Sequence, residues 1–162
     1  MDHGTKYGCW QKTALVILRM LIGWHFLYEG IAKLINPYWT SAGYLMESKG
    51  VLAGFFSKLA ADATLLKIVD LLNIWGLIAI GLGLLLGFLT RTASLTGIAV
   101  LMLYYLSNPP LIGVSYSSPA EGNYLLINKN LIEMAALFVL LLFPTGKWIG
   151  LDALLFPRRK SE

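Results

Sequence analysis

The sequence predicts an all-α integral membrane protein, a four-transmembrane-helix bundle with an amphipathic interfacial or re-entrant segment between the first two spans. Of its 162 residues, 57% are hydrophobic and 14% are charged, whereas soluble domains carry about 45–50% apolar and about 25% charged residues. The apolar residues also form long runs, as a helix of about 20 residues that crosses a bilayer requires. The chain length suits one membrane domain that covers residues 1–162.

The predicted spans cover residues 13–34, 71–89, 93–108 and 124–143. The first is too long in its apolar core for a cleaved signal peptide, so we expect a retained helix. The second has no charged residue, and the third ends at the helix breaker Pro109-Pro110. The fourth stops at Pro144, and because its apolar stretch from Leu131 to Phe143 is too short to cross alone, it reaches membrane length only by including Asn128, Lys129 and Asn130.

The connection between the first two spans, residues 37–66, has features of its own. Asn36-Pro37 predicts a turn, and Tyr38-Trp39 follow, which are residue types that favour the membrane interface. Apolar residues then recur at helical spacing, with Lys58 and Asp62 on the other face. The apolar set is Val51, Leu52, Phe55, Phe56 and Leu59. An amphipathic helix that lies in the interface or folds back into the bundle accounts for this pattern.

The net charge of +4 follows from lysines and arginines that flank the spans, so we expect no nucleic-acid partner. One side carries Lys6, Lys12, Arg19, Arg91, Lys147, Arg158, Arg159 and Lys160, and the other carries Lys33, Lys49, Lys58, Lys67 and Lys129. The more basic side of a membrane protein faces the cytoplasm, which predicts that both termini are cytoplasmic. Cys9 is the one cysteine, which excludes an intrachain disulfide and a cysteine zinc site.

Polar residues in the first span are the strongest chemical signal. With Arg19 at the origin of a helical wheel, His25, Glu29 and Lys33 fall at about 240°, 280° and 320°, on one stripe. A charged side chain at the bilayer centre costs at least ~2.5–3.5 kcal/mol, so the stripe needs a compensating environment. Either the charges pair and hold the bundle together, or they line a polar cavity that binds a head group and exchanges protons. Gly23 and Gly30 flank the stripe, where a neighbouring helix could approach closely.

The other spans offer fewer candidates. Asn73 shares a face of the second span with Gly76, Gly83 and Gly87, and it could cap the helix or line a cavity. Asp70 precedes that span and is expected to be a first-turn acid. Glu133 in the fourth span is a second intramembrane carboxylate, with Lys129 and Lys33 as its nearest expected partners. His25 is the one histidine within a span, so we expect neither haem nor metal in this chain alone.

The run Arg19-x3-Gly23-x5-Glu29-Gly30-x2-Lys33-Leu34 resembles the opening helix of the DoxX/DoxD family of small membrane proteins. The resemblance continues through Leu72-Asn73-Ile74-Trp75-Gly76 and Asn130-Leu131-Ile132-Glu133 to Gly150-Leu151-Asp152. It covers about residues 13–155. Within the family, the pattern is most similar to the DoxD-type subunit of thiosulfate:quinone oxidoreductases.

That resemblance implies a subunit in the bacterial cytoplasmic (inner) membrane that passes electrons from thiosulfate to the quinone pool, with tetrathionate as product. On this hypothesis, quinone is the cofactor, and His25 and Glu29 exchange protons with its head group. Arg19, Lys33, Asn73 and Glu133 would be the cofactor-binding residues. A cationic patch of Lys33, Lys49, Lys58 and Lys129 could attract thiosulfate.

Relatives of this kind act with a partner, so we expect the lipid bilayer and another protein subunit or a second copy as partners. The alternative is a non-catalytic interaction or assembly subunit of a larger complex.

Overall fold

The computed structural model describes residues 7–110, 126–143 and 145–155, and these ranges are helical, with no strand among them. The helices are α1 (Cys9–Ile35), α2 (Ala42–Met46), α3 (Ala53–Ala61), α4 (Ala63–Leu86), α5 (Thr90–Ser107), α6 (Lys129–Leu142) and α7 (Leu151–Leu155). A 3-10 turn, Thr145–Lys147, precedes α7. The start of the fourth predicted span and the terminal Arg158-Arg159-Lys160 cluster lie outside the described residues.

Two of the described helices, α1 and α4, are long and apolar enough to cross a membrane. Helix α5 has 18 residues. Helix α6 has 14 residues, which at 1.5 Å per residue is about 21 Å and shorter than the ~30 Å hydrocarbon layer. The structure confirms the all-helical class and two helices of membrane length, whereas four crossings of the bilayer stay a prediction.

Helices α1 and α4 pack closely because both carry glycine at their crossing. A Cβ atom added to Gly30 would lie 2.7 Å from Ile78 Cγ1, and one added to Gly81 would lie 2.5 Å from the backbone nitrogen of Leu27. The close approach predicted at Gly23 and Gly30 is confirmed, since Leu84 and Leu85 or Ile78 lie against them. Gly76 has no atom within 4 Å of such a Cβ, so it is not a packing position.

Helix α4 begins at Ala63, earlier than the predicted start of the second span at residue 71. The Asp62 carboxylate caps this helix by accepting hydrogen bonds from the backbone nitrogens of Thr64 and Leu65. The expectation that Asp70 is a first-turn acid is therefore wrong. Asp70 lies within α4 and accepts hydrogen bonds from the backbone nitrogen and the hydroxyl of Ser41.

Residues 36–62, which we call the strap, contain α2 and α3 and fold back onto α4 and α5. The Tyr44 hydroxyl donates to the Tyr104 carbonyl oxygen at 2.9 Å, and the Ser48 hydroxyl donates to the Ser107 carbonyl oxygen at 2.6 Å. Leu45, Phe56 and Ala60 form a small buried core under the strap. Val51 and Leu52 are exposed. The strap thus buries Phe56 of the predicted apolar set against the bundle and leaves Val51 and Leu52 of that set exposed.

At the far end of α4, a second set of contacts joins α4, α5 and α7. The Asp152 carboxylate accepts from Leu89 N at 2.7 Å and from the Thr90 backbone nitrogen and hydroxyl at 3.1 and 2.8 Å. The Asp152 backbone nitrogen donates to Gly87 O at 2.9 Å. Leu89 has a left-handed backbone with φ of 47°, a conformation that costs about 1–2 kcal/mol for a non-glycine residue. These hydrogen bonds hold the tight turn between α4 and α5.

Arg19 of α1 completes this second set, which we call the clasp (Arg19, Gly87, Leu89, Thr90 and Asp152). Its side chain is only 2% exposed, and a Cβ atom on Gly87 would lie 3.0 Å from Arg19 Nη1. The Asp152 charge attracts the guanidinium. Within the described ranges, Arg19 Nε and Nη1 have no hydrogen-bond partner, so the Asp152 charge acts on these atoms through space and offsets part of the cost of their burial.

Candidate functional site

A cavity of about 1000 Å³ lies between α1, α4, α5, α6 and the strap. Five of the six site residues that the sequence predicts line it: His25, Glu29, Lys33, Asn73 and Glu133. They come from three different helices, so the fold brings together residues that are far apart in sequence. The sixth, Arg19, is not among the lining residues and belongs to the clasp, so a part in ligand binding stays a prediction for it.

Two acid–base pairs lie on the wall of the cavity. His25 Nε2 of α1 lies 3.7 Å from Glu133 Oε2 of α6, which links two helices. Lys33 Nζ lies 3.7 Å from Glu29 Oε2 within α1, one helical turn apart. The side chain of Glu29 is 43% exposed and that of Glu133 only 11%. Glu29 is therefore the carboxylate more accessible to a molecule that enters, and Glu133 is the one held against the wall.

Aromatic rings fix the ammonium group of Lys33. Its Nζ atom lies 5.4 Å from the centre of the Trp39 ring and 5.6 Å from that of Tyr104. Both distances are in the range of a cation–π attraction. Together with Glu29, these rings surround Lys33 from the strap, from α5 and from its own helix. The position of the charge is consequently set before any ligand binds.

Tyr104 of α5 links the strap to Asn73 of α4 and to Lys33 of α1. The Asn73 amide donates to the Tyr104 hydroxyl at 2.7 Å, and the Tyr44 ring meets the Tyr104 ring edge-on at 5.9 Å. Of the two alternatives for Asn73, the structure favours the cavity wall, because Asp62 caps α4 and Asn73 lies well inside that helix.

Sequence reasoning did not single out Tyr104, or Tyr44 in the strap, as site residues. Their one signal in the sequence is that aromatic residues lie near predicted span ends, which is typical of interface anchors as well. The remaining wall is mainly apolar. It includes Phe26, Phe55, Phe56, Leu59, Leu77 and Leu101.

The site can bind a molecule that has a polar ring and an apolar body. Carboxylate, imidazole, ammonium, amide and phenol groups converge on one cavity that also has apolar walls, which is typical of small-molecule sites. Among the residues that the structure describes, no three His, Cys, Asp or Glu side chains are grouped to hold a metal ion.

The apolar membrane-length helices and the polar cavity between them define a small helical membrane protein. A family model, DoxX, matches residues 14–107, more than half of the chain. The chain belongs to the DoxX family of membrane proteins, and the matched region includes His25, Glu29, Lys33 and Asn73. No curated protein and no solved structure matches the chain.

Proposed function

We propose that this protein is the membrane subunit of a quinone-linked oxidoreductase and that it binds the quinone head group in the cavity. The electrons would come from a sulfur compound such as thiosulfate and pass to the quinone pool. One observation carries the proposal: two acid–base pairs, His25–Glu133 and Glu29–Lys33, face one cavity that also has extensive apolar walls.

The size and lining of the cavity fit such a ligand. Small-molecule pockets measure about 300–1000 Å³, and this one lies at the upper end of that range. A quinone has a flat ring with two carbonyl oxygens and an apolar tail. The phenyl rings and leucines of the strap and α5 suit the tail and the ring faces, while the polar groups suit the carbonyl oxygens.

A bound quinone supplies two-electron, two-proton redox chemistry, and the chain supplies the groups that hold and move the protons. Glu29 and His25 lie one helical turn apart on α1, so their side chains are about 5–6 Å apart at the Cβ atoms. A carboxylate and an imidazole within reach of two carbonyl oxygens can each deliver a proton. Glu133, beside Nε2 of His25, stabilises the protonated imidazole.

Lys33 acts through its positive charge and does not deliver a proton. Its ammonium group is held by Glu29 and two aromatic rings. A fixed positive charge there would favour reduction of a bound quinone, because it would stabilise negative charge on the carbonyl oxygens. Two thiosulfate anions that couple to tetrathionate release two electrons, which with two protons complete the reduction of one quinone to its quinol.

Quinone binding by the full chain in lipid nanodiscs tests this proposal. We expect added naphthoquinone to quench tryptophan fluorescence saturably, with Trp39 in the cavity wall as the main reporter. Glu29→Gln and His25→Ala should each weaken binding about tenfold, which corresponds to about 1.4 kcal/mol. Asp62→Asn is the matched control, because it removes a carboxylate outside the cavity and asparagine caps a helix as well as aspartate does.

Equal affinity in all four proteins would contradict the site, and no saturable quenching in any of them would contradict the function. Native mass spectrometry of the chain extracted from its own membrane adds a second readout. A bound quinone that disappears in His25→Ala supports the proposal, whereas a quinone-free complex with a fixed protein partner favours the assembly role.

A further inference from the structure

We infer that the cavity accepts an uncharged head group and excludes oxyanions, so that the sulfur anion reacts at a different surface from the one that binds quinone. This inference rests on the proposed function, and it adds the charge class of the ligand. It is based on the charges of the cavity wall and on the neutral hydrogen-bonding groups that line the same cavity.

The charged side chains of the wall have no net positive charge that would attract an anion. The wall contains two lysines, Lys33 and Lys129, and three glutamates, Glu29, Glu47 and Glu133, together with His25. With the carboxylates ionised the sum is 2 − 3 = −1, and a proton taken up by either His25 or Glu133 brings it to zero. A doubly charged anion such as thiosulfate would enter against this field, in surroundings where charges interact more strongly than in water.

The two ammonium groups are also engaged already. Lys33 is held by Glu29 and by the Trp39 and Tyr104 rings. Lys129 attracts the Glu133 carboxylate. An anion would have to separate one of these pairs and leave a carboxylate without its counter-charge in a partly desolvated site, which is unfavourable.

The four lysines that the sequence suggests as a cationic patch lie in two separate places in the structure. Lys33 and Lys129 line the cavity, whereas Lys49 and Lys58 of the strap are exposed and are not part of its wall. The four lysines therefore do not act on one bound anion. Any attraction that Lys49 and Lys58 exert on thiosulfate acts at the outer surface of the strap.

Neutral donors and acceptors also line the cavity. They include Thr40, Tyr44, Asn73, Tyr104, Asn128 and Asn130. Hydroxyl and amide groups can bind carbonyl oxygens without requiring a net charge on the ligand. This composition matches a neutral quinone ring better than an oxyanion.

A matched pair of ligands tests the inference on the full chain in nanodiscs. Naphthoquinone and naphthoquinone sulfonate share the same ring and differ by one negative charge. We expect the sulfonate to bind at least about tenfold more weakly than the parent, and thiosulfate not to displace the parent. Glu29→Gln removes one negative charge from the wall, so it should reduce the ratio of the two dissociation constants about tenfold. The Asp62→Asn control should leave this ratio unchanged.

The outcomes separate the two proposals. Equal binding of both naphthoquinones, or displacement of the parent by thiosulfate that Lys33→Gln abolishes, would overturn the charge selection and leave quinone binding intact. Failure of the parent to bind would overturn the proposed function, and this inference with it. Because Glu29→Gln changes the ratio of two affinities, a general loss of fold, which would weaken both ligands alike, does not produce the expected result.

Discussion

Helix α1 carries polar residues into two regions of the bundle that differ in burial. In the clasp, Arg19 is 2% exposed, and Asp152 makes three hydrogen bonds to the turn between α4 and α5. In the cavity, the Glu29 side chain is 43% exposed and its pair with Lys33 spans 3.7 Å. One stripe of polar residues on one helix thus serves two purposes: the buried end stabilises the fold, and the open end is accessible to a ligand.

The largest effect on stability should come from Asp152→Ala in the clasp. The change removes the hydrogen bonds to Leu89 and Thr90 and leaves the Arg19 guanidinium buried without its counter-charge. Each buried donor left without its acceptor costs about 1–3 kcal/mol, and the loss of the nearby negative charge makes burial of Arg19 less favourable still. Equilibrium unfolding in mixed micelles, followed by circular dichroism, measures it. An unfolding free energy equal to that of the wild type would show that the clasp does not stabilise the bundle.

Gly81→Ala should have the next largest effect, because it acts on the contact between α1 and α4 that supports both regions. The added methyl group would meet the Leu27 backbone at 2.5 Å, and overpacking of this kind costs about 1–3 kcal/mol. Gly76→Ala is the matched control in the same helix. It has open space at that position and should stabilise the helix by about 0.5–1 kcal/mol. The same unfolding measurement compares the two variants. Equal unfolding free energies for Gly81→Ala and Gly76→Ala would contradict the close packing of α1 against Gly81.

Tyr44→Phe should have a smaller effect that is confined to the cavity side. It removes the hydrogen bond from the Tyr44 hydroxyl to the Tyr104 carbonyl oxygen and keeps the ring contact. A single hydrogen bond contributes about 0.5–1.5 kcal/mol. We expect amide hydrogen exchange to accelerate in the strap and to stay unchanged at the turn between α4 and α5. Faster exchange at that turn would mean that the two regions are coupled.

Glu29→Gln should change stability least, by less than about 1 kcal/mol, because a partly exposed ion pair contributes little. Its expected effect is a weaker affinity for quinone. Unfolding and quinone titration of the same preparation check both statements. A loss of stability as large as that of Asp152→Ala would show that the Glu29–Lys33 pair is structural and would remove the contrast between the two regions.

Much of the candidate site could be read from local spacing. The period of an α-helix is enough to place His25, Glu29 and Lys33 on one face of the first span, and the low polarity of that span makes each of them conspicuous. The structure brings these three to one cavity. Asn73 and Glu133 stand out for the same reason, as polar residues in apolar helices.

The place of Arg19 in the clasp could not be predicted from local spacing. Its position on the helical wheel groups it with the stripe, but a wheel has no information about distance along the helix axis or about neighbouring elements. Asp152 and Gly87 lie far away in sequence, and only the packed fold brings them to Arg19. The same holds for Tyr104, whose partners Asn73, Tyr44 and Lys33 lie on three other elements.

The sequence by itself determined the helical membrane class, the close approach at Gly23 and Gly30, and the polar face of the first helix. These properties follow from composition and from the helical period, which are local. Only the tertiary structure decided that the strap closes over a cavity, that Glu133 faces His25, and that Arg19 belongs to the clasp. Each of these depends on which distant segments pack together, and the free energy of that packing is a property of the whole chain.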